Sequence, residues 1–273
     1  MLNIAKAEQS ISIDPDFGLM APALGWVPPL RYLLRRHRIL AAIAHFSRGR
    51  LLEIGCGAGA LLVDFSRLGF ECQGLETSPQ ALGMAKAISQ AGDAHIGLMS
   101  EADPNWSQAF DTVCAFDVLE HIEDDQAALK QWCAWLQPGG QLLLSVPAHP
   151  ARFGAGDVWA GHFRRYSKEG LIDLLQKSGF LIDQVECYGF PIANVTELLG
   201  EIHYRKLLKK RSESFDKASA TAQSGIERST YLNYYHVIAT GVGRVLLRMG
   251  YLLQALTRHT ELGNGYLIVA RRS

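Results

Sequence analysis

Between Leu51 and Ser78 an apolar run ends in an acid, Glu53, and gives way to glycines at three alternate positions, Gly55, Gly57 and Gly59. A helical pattern follows, and a second short apolar run ends in another acid, Glu76. Glycine lets a backbone approach a ligand closely and accepts φ > 0. An acid at the end of the second strand can take hydrogen bonds from both hydroxyls of a ribose. This is a β-turn-α-β unit prepared for a nucleoside-bearing cofactor. Gly55-Cys56-Gly57-Ala58-Gly59-Ala60 fits a loose G-x-G-x-x-A pattern that nicotinamide proteins also use, so the glycines alone do not choose the cofactor. Glu53 discriminates better. A negative side chain there repels a pyrophosphate and suits a cationic aminoacyl group.

A second chemical cluster lies between Ser145 and Leu171, where His149, Asp157, His162, Arg164, Arg165 and Tyr166 are interleaved with Phe153 and Trp159. It follows an apolar run and so emerges at the C-terminal edge where α/β sheets bind ligands. Imidazole groups there suit proton transfer. The bland alternative is a helix N-cap at Ser167 and an arginine paired to a surface acid.

These residues are positioned by alternating strands and helices. Apolar runs predict strands at Arg50–Ile54, Glu71–Leu75, Ala94–Met99, Thr112–Phe116, Gln141–Val146, Leu181–Tyr188 and Tyr266–Arg271. Helical spacing covers Ala60–Leu68, Pro79–Gln90, Asp124–Leu136 and Lys168–Lys177. An amphipathic helix at Leu30–Phe46, after a loop-like lead, is expected to carry Arg31, Arg35, Arg36 and Arg38 on its outer face. Between the last two strands about seventy residues read as helices near Asn194–Lys210 and Tyr231–His259, with a polar Ser/Ala-rich stretch from Arg211 to Ser229. We read this insertion as a cap over the site.

The chain has 273 residues, with 27 basic and 27 acidic, which gives no global electrostatic case for nucleic acid. Five scattered cysteines without C-x-x-C spacing favour a reducing compartment and disfavour a zinc site. The N-terminus lacks a signal-peptide core. Arg244 and Arg248 interrupt the most apolar long segment, each at about 2.5–3.5 kcal/mol for insertion, so no membrane span is expected and the cytoplasm is the default location.

The glycine loop, Glu76, the Phe110–Ile122 block FDTVCAFDVLEHI and Leu136-Gln137-Pro138-Gly139-Gly140 together resemble the class I S-adenosylmethionine-dependent methyltransferases. The likeness covers about Arg50 to Phe180, and His162-Phe163-Arg164-Arg165-Tyr166-Ser167 is similar to a subset of bacterial members. It implies a Rossmann-like α/β fold: a seven-stranded, mostly parallel sheet with a reversed last strand, helices on both faces and a helical cap between strands 6 and 7. The expected organisation is a lead and covering helix at 1–48, a core at 49–190, a cap at 191–262 and the last core strand at 263–273. The implied donor is S-adenosyl-L-methionine, leaving S-adenosyl-L-homocysteine.

By the same resemblance Glu53, Gly55, Cys56, Gly57 and Gly59 hold the methionine moiety, Glu76 with Thr77 the ribose, and Asp117 and Val118 line the cleft. A Gly-Asp-Ala adenine motif is absent after the third strand, and Ser100 or Glu101 is the substitute. For a hydroxyl or amine acceptor, His162 or His149 is the candidate base. Arg164, Tyr166, Trp159 and Tyr235 are candidate acceptor contacts, with packing the competing role for the aromatics. Glu123, Asp124 and Asp125 diverge on a helix's first turn, so no metal is expected. The acceptor is expected to be a small molecule, O-methylation favoured. A lipid-linked acceptor at a membrane surface, RNA, a nicotinamide oxidoreductase and a non-catalytic binding module are the alternatives. Oligomeric state is not legible.

Overall fold

The computed structural model describes residues 11–92, 94–210 and 235–273. A short hairpin, β1 (Ser12–Asp14) and β2 (Gly18–Met20), precedes helix α1 (Leu30–Ile43). The core then runs β3 (Arg50–Ile54), α2 (Ala60–Arg67), β4 (Glu71–Leu75), α3 (Pro79–Ala91), β5 (Ile96–Met99), β6 (Phe110–Phe116), α4 (Asp125–Trp135) and β7 (Leu136–Pro147). It continues through α5 (Ala155–Ala160), α6 (Lys168–Lys177) and β8 (Phe180–Tyr188) to α7 (Ile192–Lys210), α8 (Gly241–Thr257) and β9 (Gly265–Arg272).

Seven strands form one sheet in the order β5-β4-β3-β6-β7-β9-β8. The pairs among β3 to β7 are parallel, and β9 runs antiparallel to both neighbours. This is the expected architecture, reversed last strand included. Strands buried on both faces read as continuous apolar runs, as at Leu51-Leu52 and Leu142-Leu143-Leu144, all fully buried. One face packs under α1 and α2 through Leu33, Ile39 and Phe65, the other around Trp106, Trp132 and Leu175. Three of the helices start where a side chain supplies the missing acceptor: Ser78 caps α3, Asp124 caps α4 and Ser167 caps α6.

Three expectations need correction. The arginines of α1 are not an outer basic face. Arg36 and Arg38 are buried on Asp64 and Glu186, both bidentate, while Arg31 and Arg35 reach Asp117. Apolar periodicity located the helix, but the residues between the apolar positions face buried acids rather than water. The lead contains the β1–β2 hairpin, and the segment after β7 contains α5; both are too short for periodicity to reveal. The helix expected at Tyr231–His259 begins anew at Gly241, because Thr240 caps it and a side chain at Gly243 would strike the carbonyls of Val237 and Ile238. The stretch Arg211–Ser229 and the aromatics Tyr231 and Tyr234 lie outside the described residues.

Candidate active site

The C-terminal ends of β3, β4 and β6 bring the first cluster together. Gly55, Gly57 and Gly59 adopt φ of +62°, +55° and +73°. A Cβ at Gly55 would stand 2.6 Å from Val118 Cγ2, whereas one at Gly57 would meet nothing within 4 Å. Gly55 is therefore required by packing, and Gly57 borders open space. Glu76 also ties the loop, which the sequence does not reveal. Its Oε2 accepts from Gly57 N and its Oε1 from Ser78 N, both at 2.8 Å. Carboxylate oxygens keep lone pairs for further donors. Thr77 and Ser100 are exposed just past β4 and β5, and Cys56 is a buried thiol behind the loop.

Glu53 is 4 % exposed, and its Oε2 has no hydrogen-bond partner. Burial raises its pKa well above the usual carboxylate range, against the pull of Arg35. A buried carboxylate oxygen without a donor, at the mouth of a glycine loop, fits a ligand that brings a cationic or N–H group. S-adenosylmethionine has such a group in its amino-acid moiety. The residues present thus fit that cofactor: Glu53 and the Gly55–Gly59 loop for its methionine part, Glu76 for its ribose, and Asp117 and Val118 for the cleft wall.

Asp117 follows β6 with φ of +55°, a left-handed conformation tolerated by Asp. Its backbone N donates to Ser145 O at 3.0 Å, and Ser145 Oγ donates to its Oδ1 at 3.3 Å. Burial would raise its pKa, but Arg35 and Arg31 outweigh that and hold it below the usual range. Around this group Arg31 Nε and Arg35 Nε are buried without partners, beside the buried Tyr188. The interior next to the glycine loop is therefore polar.

The second cluster is stitched to the first. Beside β7, His149 N donates to Tyr166 O at 2.8 Å and Tyr166 N to Pro147 O at 3.0 Å, and Phe163 N donates to Glu120 O at 2.8 Å. His162 Nδ1 lies 2.8 Å from Asp157 Oδ1. Asp157 is 2 % exposed and is also gripped by Arg165, which Glu197 of α7 holds from its other side. Burial works against the Asp157 charge, but His162 and Arg165 keep its pKa well below the ordinary value. The other ring nitrogen, Nε2, lies 3.9 Å from Glu120 Oε1. Glu120 is fully buried with neither oxygen hydrogen-bonded, and burial next to Asp117 raises its pKa well above the usual range. Burial beside His162 pulls His121 down to about 4.

The other expected acceptor contacts are engaged elsewhere. His149 places Nε2 3.1 Å from Gly263 O. Arg164 donates to Asp125 and to the Glu123 carbonyl, and Tyr166 OH to the same Asp125. Trp159 packs against Tyr204 with the rings tilted by 31°, and Tyr235 packs edge-on against Phe17 with its hydroxyl on Met20 Sδ. Asp157 belongs to the cluster read from sequence, five residues before His162, but its pairing with that histidine does not follow from spacing, and Glu197 was not singled out. Among the described residues two groups place metal-ligand-type atoms within 4.8 Å of one another: Glu120, His121 and His162, and His149, Cys187 and Glu261.

Residues 29–185 match a family model described as "Methyltransferase domain". The chain is 36 % identical over 147 residues to a ubiquinone biosynthesis O-methyltransferase of Bradyrhizobium sp. (strain ORS 278), covering 49 % of this chain and 55 % of that protein. It spans about half the length of the curated relatives it matches. The fold resembles an S-adenosylmethionine-dependent methyltransferase from Mesorhizobium loti, with TM-score 0.53, 17 % identity and coverage of 89 % and 98 %. It also resembles the [4+2]-cyclase SpnF, with TM-score 0.54, 18 % identity and coverage of 89 % and 81 %.

Proposed function

The chain belongs to the S-adenosylmethionine-dependent methyltransferase family, and on that footing we propose that it methylates an oxygen of a small-molecule acceptor. The Asp157–His162 pair carries the acceptor-side reading. The name of the relatives supports oxygen as the atom modified in them. Five unpaired cysteines support a reducing, cytoplasmic setting. Among the described residues no helix is long and apolar enough to cross a membrane. The RNA alternative loses one of its two basic patches, since the arginines of α1 are spent on internal acids.

When bound, the sulfonium cofactor supplies an activated methyl group, so the protein's task is alignment and proton handling. Asp157 fixes the His162 ring and its tautomer, which leaves Nε2 to accept the acceptor's hydroxyl proton. The resulting imidazolium is stabilised at Nδ1 by the Asp157 carboxylate and faces buried Glu120 on its other edge. Arg165 and Glu197 hold Asp157 and tie this apparatus to α7. Arg31 and Arg35 give the pocket wall a positive edge beside Asp117.

The test is calorimetric titration with S-adenosylhomocysteine, then a screen for its release from S-adenosylmethionine across phenols, carboxylates and amines. Binding with turnover on a hydroxyl acceptor is expected. Binding without turnover on any acceptor would support a non-catalytic module instead.

A further inference from the structure

Helices α7 and α8 both pack on α1, and Ile192 at the start of α7 meets Gly250 of α8, so the two are neighbours. Helix α8 buries Leu247, Gly250 and Gln254. Its opposite side carries seven exposed aliphatic side chains, among them Val242, Leu246, Met249 and Leu256 at 54–72 % exposure. At about 100° per residue these fill an arc of about 120° that contains no polar residue. Arg244 and Arg248 leave that arc and pair with Asp14 and Asp16. A water-facing helix ordinarily shows the reverse pattern.

Helix α7 repeats the theme with a graded end. Val195, Leu198, Leu199 and Ile202 are 54–68 % exposed, and the same stripe continues into exposed Lys206 and Lys209. The acids of α7, Glu197 and Glu201, face the other way, onto Arg165 and the start of α5. Helix α8 has no acid at all. Among the described residues, the outward faces therefore combine aliphatic side chains with a rim of positive charge alone. A second copy of the chain would bring like charges together there, whereas anionic headgroups complement the lysines while the aliphatic side chains enter the acyl boundary.

We propose that the outward faces of α7 and α8 form a docking surface for an anionic lipid bilayer, on which both helices lie without crossing it. The surface is independent of the donor assignment. Its position is consequential: the inner side of α7 holds Arg165 and, through it, the Asp157–His162 pair.

Co-sedimentation of the full chain with phosphatidylcholine vesicles, with and without about 30 % phosphatidylglycerol, tests this. Binding is expected to the anionic vesicles and to fall in 0.5 M salt, a shift of about tenfold or more. Lys206→Glu with Lys209→Glu should lower the partition coefficient at least about tenfold. Leu246→Ser with Leu256→Ser should abolish binding while circular dichroism and thermal melting stay near wild type. No sedimentation at low salt overturns the proposal, and a dimeric mass in the same buffer would then assign the apolar faces to a second copy. Variants that bind as well as wild type also overturn it. The readout is lipid binding, so neither result bears on methyl transfer.

Discussion

Asp157 Oδ1 stands 2.8 Å from His162 Nδ1, inside a cage that leaves the carboxylate 2 % exposed. The acid is neither a surface partner nor a helix cap alone: Arg165 and the Gly154 N–H share it. The histidine is thereby oriented before any acceptor arrives.

His162→Ala is expected to lower kcat by about 10²–10⁴-fold on a hydroxyl acceptor. Asp157→Asn should lower kcat less and leave S-adenosylhomocysteine affinity within about twofold, since the pair lies on the acceptor side. Initial rates and calorimetry separate these effects. Wild-type turnover in His162→Ala removes the base.

The same acid gives the protein a specific weakness in acid. His162 and Arg165 hold the folded-state pKa of Asp157 well below its unfolded value of about 3.9, in spite of burial. The unfolded chain therefore binds more protons in that range, and stability rises with pH there. The contribution is complete above about pH 4 and is lost as pH falls toward the folded pKa. Thermal melts from pH 6 to pH 3 should show a steeper loss for wild type than for Asp157→Asn, about 1 kcal/mol or more at the acid end.

Glu53 shifts the opposite way. Burial raises its pKa well above the usual range, so the ligand-free protein retains a proton there beyond the ordinary carboxylate range. A cationic ligand group against Oε2 favours the carboxylate, and binding should release that proton. Calorimetry of S-adenosylhomocysteine in buffers of differing ionisation enthalpy, at a pH below the raised value, should report up to about one proton released. Glu53→Gln should report none.

Two glycines that look alike in sequence should fail differently. At Gly55 a methyl meets Val118 Cγ2 at 2.6 Å, so Gly55→Ala is expected to cost the ligand-free protein several degrees in Tm. At Gly57 the space is open and only the left-handed backbone resists, at about 1–2 kcal/mol. Gly57→Ala should therefore fold but bind S-adenosylhomocysteine at least about tenfold more weakly, because the new methyl occupies the ligand's approach. Melting curves beside titrations distinguish the pair.

Elements of the core were legible because buried parallel strands are short apolar runs and their helices carry a clear stripe; β3, β4 and α6 have the expected bounds. The placement of Glu53, Glu76 and Asp117 at one edge of the sheet was legible because strand ends and the loops after them lie at the same edge. Arg164 and Trp159 illustrate the limit. Each has the right chemistry in the right segment, but local partners such as Asp125 and Tyr204 occupy it, and no spacing rule announces a partner about forty residues away. Nor does periodicity distinguish an arginine facing water from one facing Asp64 or Glu186.

Helix α1 distributes four arginines among Asp117, Asp64 and Glu186, which belong to three separate parts of the core. A helix anchored in this way cannot swing aside without stranding buried acids. It is a fixed wall, set when the chain folds. Entry and exit of ligands must therefore use another side of the site, and discrimination along the Arg31–Arg35 edge is decided by shape already present, not by a gate that closes afterwards.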